Sequence, residues 1–171
     1  MSDPLSLSAL SAMNQGPFVA ALGMVFEHSP WVAEAAWKRH PFPTFETLHR
    51  SLVDAMRGAG EEAQLELIRA HPELTGTIAK RDLTQDSRAE QAGAGLDRCS
   101  PAEAARLAAL NRRYRERFGF PFVIAVKGLD RAAILARLAA RLDRDRAAEF
   151  DEALQQIERI AWLRLEAKIE P

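Results

Sequence analysis

Apolar positions recur along most of the chain at spacings of three and four residues, the period of a helix with one buried face. Phe18, Leu22, Val25 and Phe26 fall on one such face, just after Gly16 and Pro17. Ser29 followed by Pro30 reads as an N-cap with proline at the first helical position, ahead of WVAEAAWKRH. Pro41 and Pro43 end that helix. Thr44 can cap the next, in which Phe45, Leu48, Leu52 and Met56 keep the spacing. RGAG stops it, and EEAQLELIRA begins another. From Ser100 and Pro101 a long helix is predicted, carrying Ala104, Leu107, Asn111, Tyr114 and Phe118 on one stripe. FGFPFVIAVKG breaks the period. It is short, aromatic and β-branched, and reads as a lone extended segment. Two further helices are predicted, Asp130 to about Leu142 and Asp145 to about Lys168.

One extended segment cannot build a sheet, so the pattern predicts an all-α fold: a compact single-domain helical array of about seven to nine helices. The length of 171 residues suits one domain spanning residues 1–171. No repeat, low-complexity tract or linker interrupts it. The least regular stretch is 71–99, rich in Gly, Thr, Asp and Ser, and irregular segments on a rigid scaffold often carry function.

Composition narrows the classes. A net charge of -1 supplies no overall basic field to draw nucleic acid or a membrane surface. Cys99 is the only cysteine, which excludes an intrachain disulfide. Neither CxxC nor HExxH occurs, so a metal site has no support from spacing. The start, MSDPLSLSAL, lacks a basic region followed by an apolar run, so no signal peptide is expected. No apolar run is long enough to span a bilayer, and the final KIEP is not a peroxisomal signal. A cytoplasmic protein is the expectation.

Several polar residues stand where the pattern asks for something else. The helix before His71 runs straight into His71-Pro72, and a residue before proline is pushed out of the α region. An imidazole therefore sits at a stiffened corner, although His40-Pro41 repeats the dipeptide and a lone histidine is commonly structural. Arg164 continues the stripe Phe150, Leu154, Ile157 and Ala161. A cation on an inward face needs an ion-pair partner or a bound anion. Asn111 interrupts its own stripe and reads as a flank residue hydrogen-bonded to neighbouring backbone. Ser87 and Glu90 have the S-x-x-E spacing of a capping box, which would explain both without a ligand. Gly93 and Gly95 follow, as either a wall for something small or a plain helix end. NRRYRERF is the one basic cluster, but Tyr114 and Phe118 lie on the apolar stripe and the arginines mostly point away, as on a solvated face.

Taken together, FEHSPWVAEAAW, LIRAHPELTG, SRAEQAGAGL, ALNRRYRERFGFPFVIAVKG and EF...RIAWLRL resemble the 2-oxo-4-hydroxy-4-carboxy-5-ureidoimidazoline (OHCU) decarboxylases of purine degradation, in the family's order, from about Pro17 to Leu165. The resemblance implies an all-α, cofactor-free and commonly homodimeric enzyme. It makes His71 the catalytic acid/base, with Pro72 lining the pocket. It assigns substrate contacts to Ser87, Glu90 and Gln91. Backbone contacts come from Phe122, Val123, Ile124, Ala125 and Val126. Arg164 becomes the anion-binding arginine. Glu90 would hold the substrate hydroxyl and pair with His71, favouring the imidazolium. The partner is a small ureidoimidazoline, with no nucleic acid and no membrane. A helical interaction module on the same scaffold is the rival of a different class. It predicts an exposed apolar groove, whereas an enzyme predicts convergence of His71, Glu90 and Arg164. Within enzymes, a hydrolase or tautomerase acting on the preceding hydroxyisourate is the runner-up.

Overall fold

The computed structural model describes residues 5–75 and 83–170. The described residues form nine α-helices: α1 (Leu7–Ala12), α2 (Gln15–Leu22), α3 (Trp31–Trp37), α4 (Phe45–Arg57), α5 (Glu61–Ala70), α6 (Gln85–Gly93), α7 (Pro101–Phe118), α8 (Arg131–Arg141) and α9 (Arg146–Lys168). A 3-10 turn, Leu96–Arg98, lies between α6 and α7. Among the described residues the only β feature is an isolated bridge between Leu5 and Ile169. The all-α expectation is met. The chain divides into two units, one formed by 1–70 with 158–171 and the other by 71–157. Part of the irregular stretch 71–99, namely 76–82, lies outside the described residues, as do residues 1–4 of the N-terminal segment and Pro171 of KIEP.

In the first unit, α2 to α5 bury the faces that the spacing marks, including Phe18, Leu22, Leu48, Leu52, Met56 and Ile68. Phe18 stacks on Phe42 with ring centroids 5.5 Å apart. The Trp37 indole donates to the Met13 carbonyl at 2.9 Å, which ties α3 to the turn after α1. Thr44 caps α4 by accepting from the Thr47 N–H, as its position suggested. The short α1 was not anticipated, and α2 begins one residue before Gly16, with Asn14 as its N-cap. The Ser29 cap is corrected. Pro30 itself occupies the N-cap position, and the Ser29 hydroxyl donates at 2.9 Å to the Glu27 carbonyl instead of accepting from α3. The cause is local: His28 has a φ of +46°, and the chain turns back on itself before α3 starts.

In the second unit, Ser100 and Glu103 form a reciprocal capping box with Pro101 at the first turn of α7. Gly119 ends that helix in the left-handed region at φ +80°. Residues 121–126 belong to no helix and pair with no strand among the described residues, so the helical period breaks where the sequence predicts. Asp130 caps α8 by accepting from the Ala133 N–H. Tyr114 is fully buried, with the Phe118 ring 4.5 Å and the Phe122 ring 5.4 Å from its own. Arg112, Arg113, Arg115 and Arg117 are exposed, so the basic cluster is a solvated face.

Candidate active site

α5 ends at Ala70, and Pro72 dictates where, because the residue before a proline leaves the α region. His71, at that break, is 5% exposed. By contrast His40, in the other His-Pro pair, is exposed, with Nδ1 2.6 Å from the Trp37 carbonyl. The two dipeptides are alike in sequence and differ in burial.

The residues after His71 are held by side chains from α6 and α7. Gln91 Oε1 accepts from the Thr75 N–H at 3.3 Å, and Gln91 Nε2 donates to the Glu73 carbonyl at 3.4 Å. Asn111 Nδ2 donates to the Leu74 carbonyl at 2.6 Å, the backbone tie its place on the stripe suggested. Arg115 forms a short ion pair with the Glu73 carboxylate. Ser87, Glu90 and Gln91 share one side of α6 by helical spacing. Ser87 and Gln91 are buried at 4% and 2% exposure, and Glu90 is half-buried.

The capping box at Ser87 and Glu90 is corrected. Thr84 is the N-cap of α6, and its side chain accepts from the Ser87 N–H. Ser87 is therefore the third helical residue, and Glu90 lies well inside the helix. The earlier start adds residues to α6 and puts Asp86 in its first turn, where the helix dipole favours a carboxylate. A cap no longer accounts for Glu90. Gly95 needs its glycine for a φ of +77° after the helix end. Beyond its chain neighbours and the backbone of its own helix, Gly93 has no described atom within 4 Å of where a Cβ would stand. The plain helix-end reading holds for Gly95.

The extended segment is equally tethered. Arg141 Nη1 donates to the Val123 carbonyl at 2.8 Å, and Gln156 Oε1 accepts from the Ala125 N–H at 3.0 Å. Phe122, Val123, Ile124 and Val126 are buried, and Ala125 is half-buried. The Arg141 guanidinium lies 4.5 Å over the Phe122 ring and binds Glu149 Oε2 at 2.8 Å. Tyr114 donates a short hydrogen bond to the same oxygen. Burial pushes the Tyr114 phenol far above its ordinary range, and the bond to Glu149 adds to it.

Arg164 belongs to the first unit. Its Nη1 binds Glu27 Oε2 at 2.9 Å and donates to the Val25 carbonyl at 3.2 Å, with the pair 3% and 0% exposed. This is the ion-pair partner that a cation on an inward stripe requires. Among the described residues, no group of three or more His, Cys, Asp and Glu is placed to hold a metal ion.

Sequence reasoning missed Glu27, Arg141, Glu149 and Gln156. Glu149 was findable: it stands four residues before Ala153 and eight before Ile157, on the stripe of α9. Glu27 had no periodic signal, because it lies in a turn.

The family model for OHCU decarboxylase matches residues 11–166. The chain is 40% identical over 162 residues to the 2-oxo-4-hydroxy-4-carboxy-5-ureidoimidazoline decarboxylase of Halalkalicoccus jeotgali, covering 95% of this chain and 90% of that one. It is 42% identical to the protein of the same name from Haloferax volcanii, covering 94% of each. A crystal structure of (S)-allantoin synthase superposes with a TM-score of 0.79 at 30% identity, over 96% of this chain and 54% of that chain. This chain thus spans about half the length of that protein. A match through both units and nearly end to end leaves one conclusion: the chain belongs to the OHCU decarboxylase family.

Proposed function

We propose that this protein is a carboxy-lyase that converts 2-oxo-4-hydroxy-4-carboxy-5-ureidoimidazoline to (S)-allantoin and carbon dioxide in urate degradation. The observation that carries the reading is the buried imidazole at the His71-Pro72 corner of a chain that matches this decarboxylase family through residues 11–166. The substrate carries a carboxylate and a hydroxyl on one ring carbon, beside a ring C=N bond. Breaking the bond to the carboxylate releases carbon dioxide, and the electron pair moves into the ring toward the imine nitrogen. The electron sink is thus part of the substrate, and no bound cofactor is needed to supply one. The resulting enol is then protonated on the carbon that bears the ureido group. In this reading the His71 imidazolium delivers that proton to one face, which sets the S configuration. Glu90 holds the substrate hydroxyl and favours the imidazolium. Arg164 holds an anionic or carbonyl oxygen by forked hydrogen bonds. Pro72, Ser87, Gln91 and the backbone of Phe122 to Val126 bind the ring and ureido groups.

The same proposal includes residues 1–171 working as one domain, supported by a family match that runs through both units. It also includes a homodimer in the cytoplasm. Among the described residues no helix is long and apolar enough to cross a membrane. The experiment is to form the unstable substrate in situ from urate and follow carbon dioxide release and the optical rotation of the allantoin. Release at the uncatalysed rate, or racemic allantoin, overturns the reading. Activity that vanishes with EDTA and returns with one divalent metal overturns the cofactor-free mechanism.

A further inference from the structure

Asn111 stands on the apolar face of α7, between Leu107 and Tyr114, and is 4% exposed. Its Nδ2 donates to the Leu74 carbonyl, but its Oδ1 is buried without a hydrogen-bond partner. An apolar side chain of similar volume would avoid that orphaned oxygen but would leave the Leu74 carbonyl without its donor, so the amide exchanges one unpaired oxygen for another and its net worth to stability is small. What the amide does is fix a peptide group close to His71. Gln91 fixes the groups on either side, the Glu73 carbonyl and the Thr75 N–H. Two amides from two helices thus set the course of the chain through Glu73, Leu74 and Thr75. Only Pro72 separates this stretch from His71, and its ring locks its own φ. The tethered peptides therefore reach the His71 backbone through only a few free torsions.

We propose that Asn111 is a positioning residue for the proton transfer. It acts through the Leu74 carbonyl to set where the His71 imidazole stands, and it touches no reacting atom itself. The inference rests on His71 being the acid of the proposed reaction. A misplacement on the order of 1 Å in such a group costs on the order of 10²-fold in rate.

The test uses the full chain with Asn111→Leu and Asn111→Asp. Leucine removes both the donor and the orphaned oxygen. It is expected to lower kcat by at least about tenfold, leave KM nearly unchanged and change Tm little, since one unpaired oxygen replaces another. Amide hydrogen exchange at Thr75 should quicken while the amides of α7 keep their protection. Aspartate can donate to the Leu74 carbonyl only when protonated, so its activity relative to wild type should rise as pH falls. Full kcat in Asn111→Leu overturns the proposal. So does a fall in kcat that merely follows a fall in Tm, with no selective change at Thr75. If leucine does not fold, a flat activity ratio across pH for Asn111→Asp overturns it. Should the wild-type chain fail to decarboxylate the substrate, the functional reading fails, and the exchange of Thr75 still decides whether Asn111 holds the corner.

Discussion

Removing the Glu27 carboxylate would take an ion-pair partner from a guanidinium that has almost no access to water. In the native pair the Arg164 and Glu27 side chains are 3% and 0% exposed, and the nitrogen and oxygen are 2.9 Å apart. Taking both charges out of water is costly, and their mutual attraction offsets most of that cost only while both are present. Breaking such a pair from one side destabilises by about 3–5 kcal/mol. For a chain of this size each kcal/mol moves Tm by about 2–4 °C, so Glu27→Ala should lower Tm by about 6–20 °C. Glu27→Gln keeps the shape and one acceptor oxygen and should lose less. Replacing both partners with methionine removes both buried charges and should restore most of the stability, since an apolar pair of similar volume is often neutral or better.

Turnover separates this structural role from the proposed grip on substrate. The double variant, stable by calorimetry, should still be inactive. Arg164→Lys should keep the charge near Glu27 but lose the planar fork, lowering kcat/KM by at least about tenfold. If Glu27→Ala melts within about 2 °C of wild type, the burial argument is wrong. If the double variant is as unstable as the single one, the two residues are not coupled. A stable double variant with full activity takes Arg164 out of the reaction.

His71→Ala should lower kcat by about 10²–10⁴-fold with the fold intact, while the exposed His40→Ala is silent, and a kcat within a few-fold of wild type removes His71 as the acid. Glu90→Gln should cost under about 0.5 kcal/mol, because Glu90 lies inside α6 and not at its cap, yet lose most of kcat and shift the alkaline limb of the pH profile to lower pH. Thr84→Ala, by contrast, removes the true cap of α6 and should cost about 1 kcal/mol by chemical denaturation. Tyr114 is the only tyrosine, so phenolate absorbance reports it alone. Its folded pKa is raised, chiefly by burial, so its contribution to stability is full below the unfolded value of about 10 and is lost as pH rises through the folded one. Stability should therefore fall with rising pH above about 10, and phenolate should appear only as the chain unfolds. A reversible phenolate transition in the folded protein near the ordinary tyrosine value refutes the burial.

Helix periods were legible because long amphipathic stretches repeat the same signal many times. Asp130 and Asp145 marked the starts of α8 and α9 well, and Ser100 with Pro101 marked α7. Caps chosen among close competitors were not legible. The spacing S-x-x-E occurs at both Ser87 and Ser100, but only at Ser100 is there no earlier cap that lets the helix grow by another turn. The polar residues on stripes were legible as anomalies, at Asn111 and Arg164, but their partners were not. Leu74 lies 37 residues from Asn111, and Glu27 lies 137 from Arg164, and no local pattern records such pairings.

The extended segment poses a different problem from the helices. Among the described residues its peptide groups have no strand to pair with, yet most of its side chains are buried, so its backbone needs partners from elsewhere. Two of them are side chains: Arg141 takes the Val123 carbonyl and Gln156 takes the Ala125 N–H. Arg141 is itself held by Glu149, which also receives Tyr114 and binds Arg144 at 3.1 Å. A buried charged cluster of this kind is a poor device for stability, because apolar residues of the same volume often do as well or better. What it supplies is direction. The fork of Arg141 binds Glu149 and the Val123 carbonyl at once while its face covers Phe122, which leaves the segment little choice of path. Under the function proposed above, this backbone meets the substrate with its own amides, and a backbone contact cannot be tuned by the side chain that bears it. The residues that fix its position are then as much a condition of binding as the amides themselves, which gives a physical reason for a buried carboxylate at Glu149 where the helix stripe would otherwise favour an aliphatic residue.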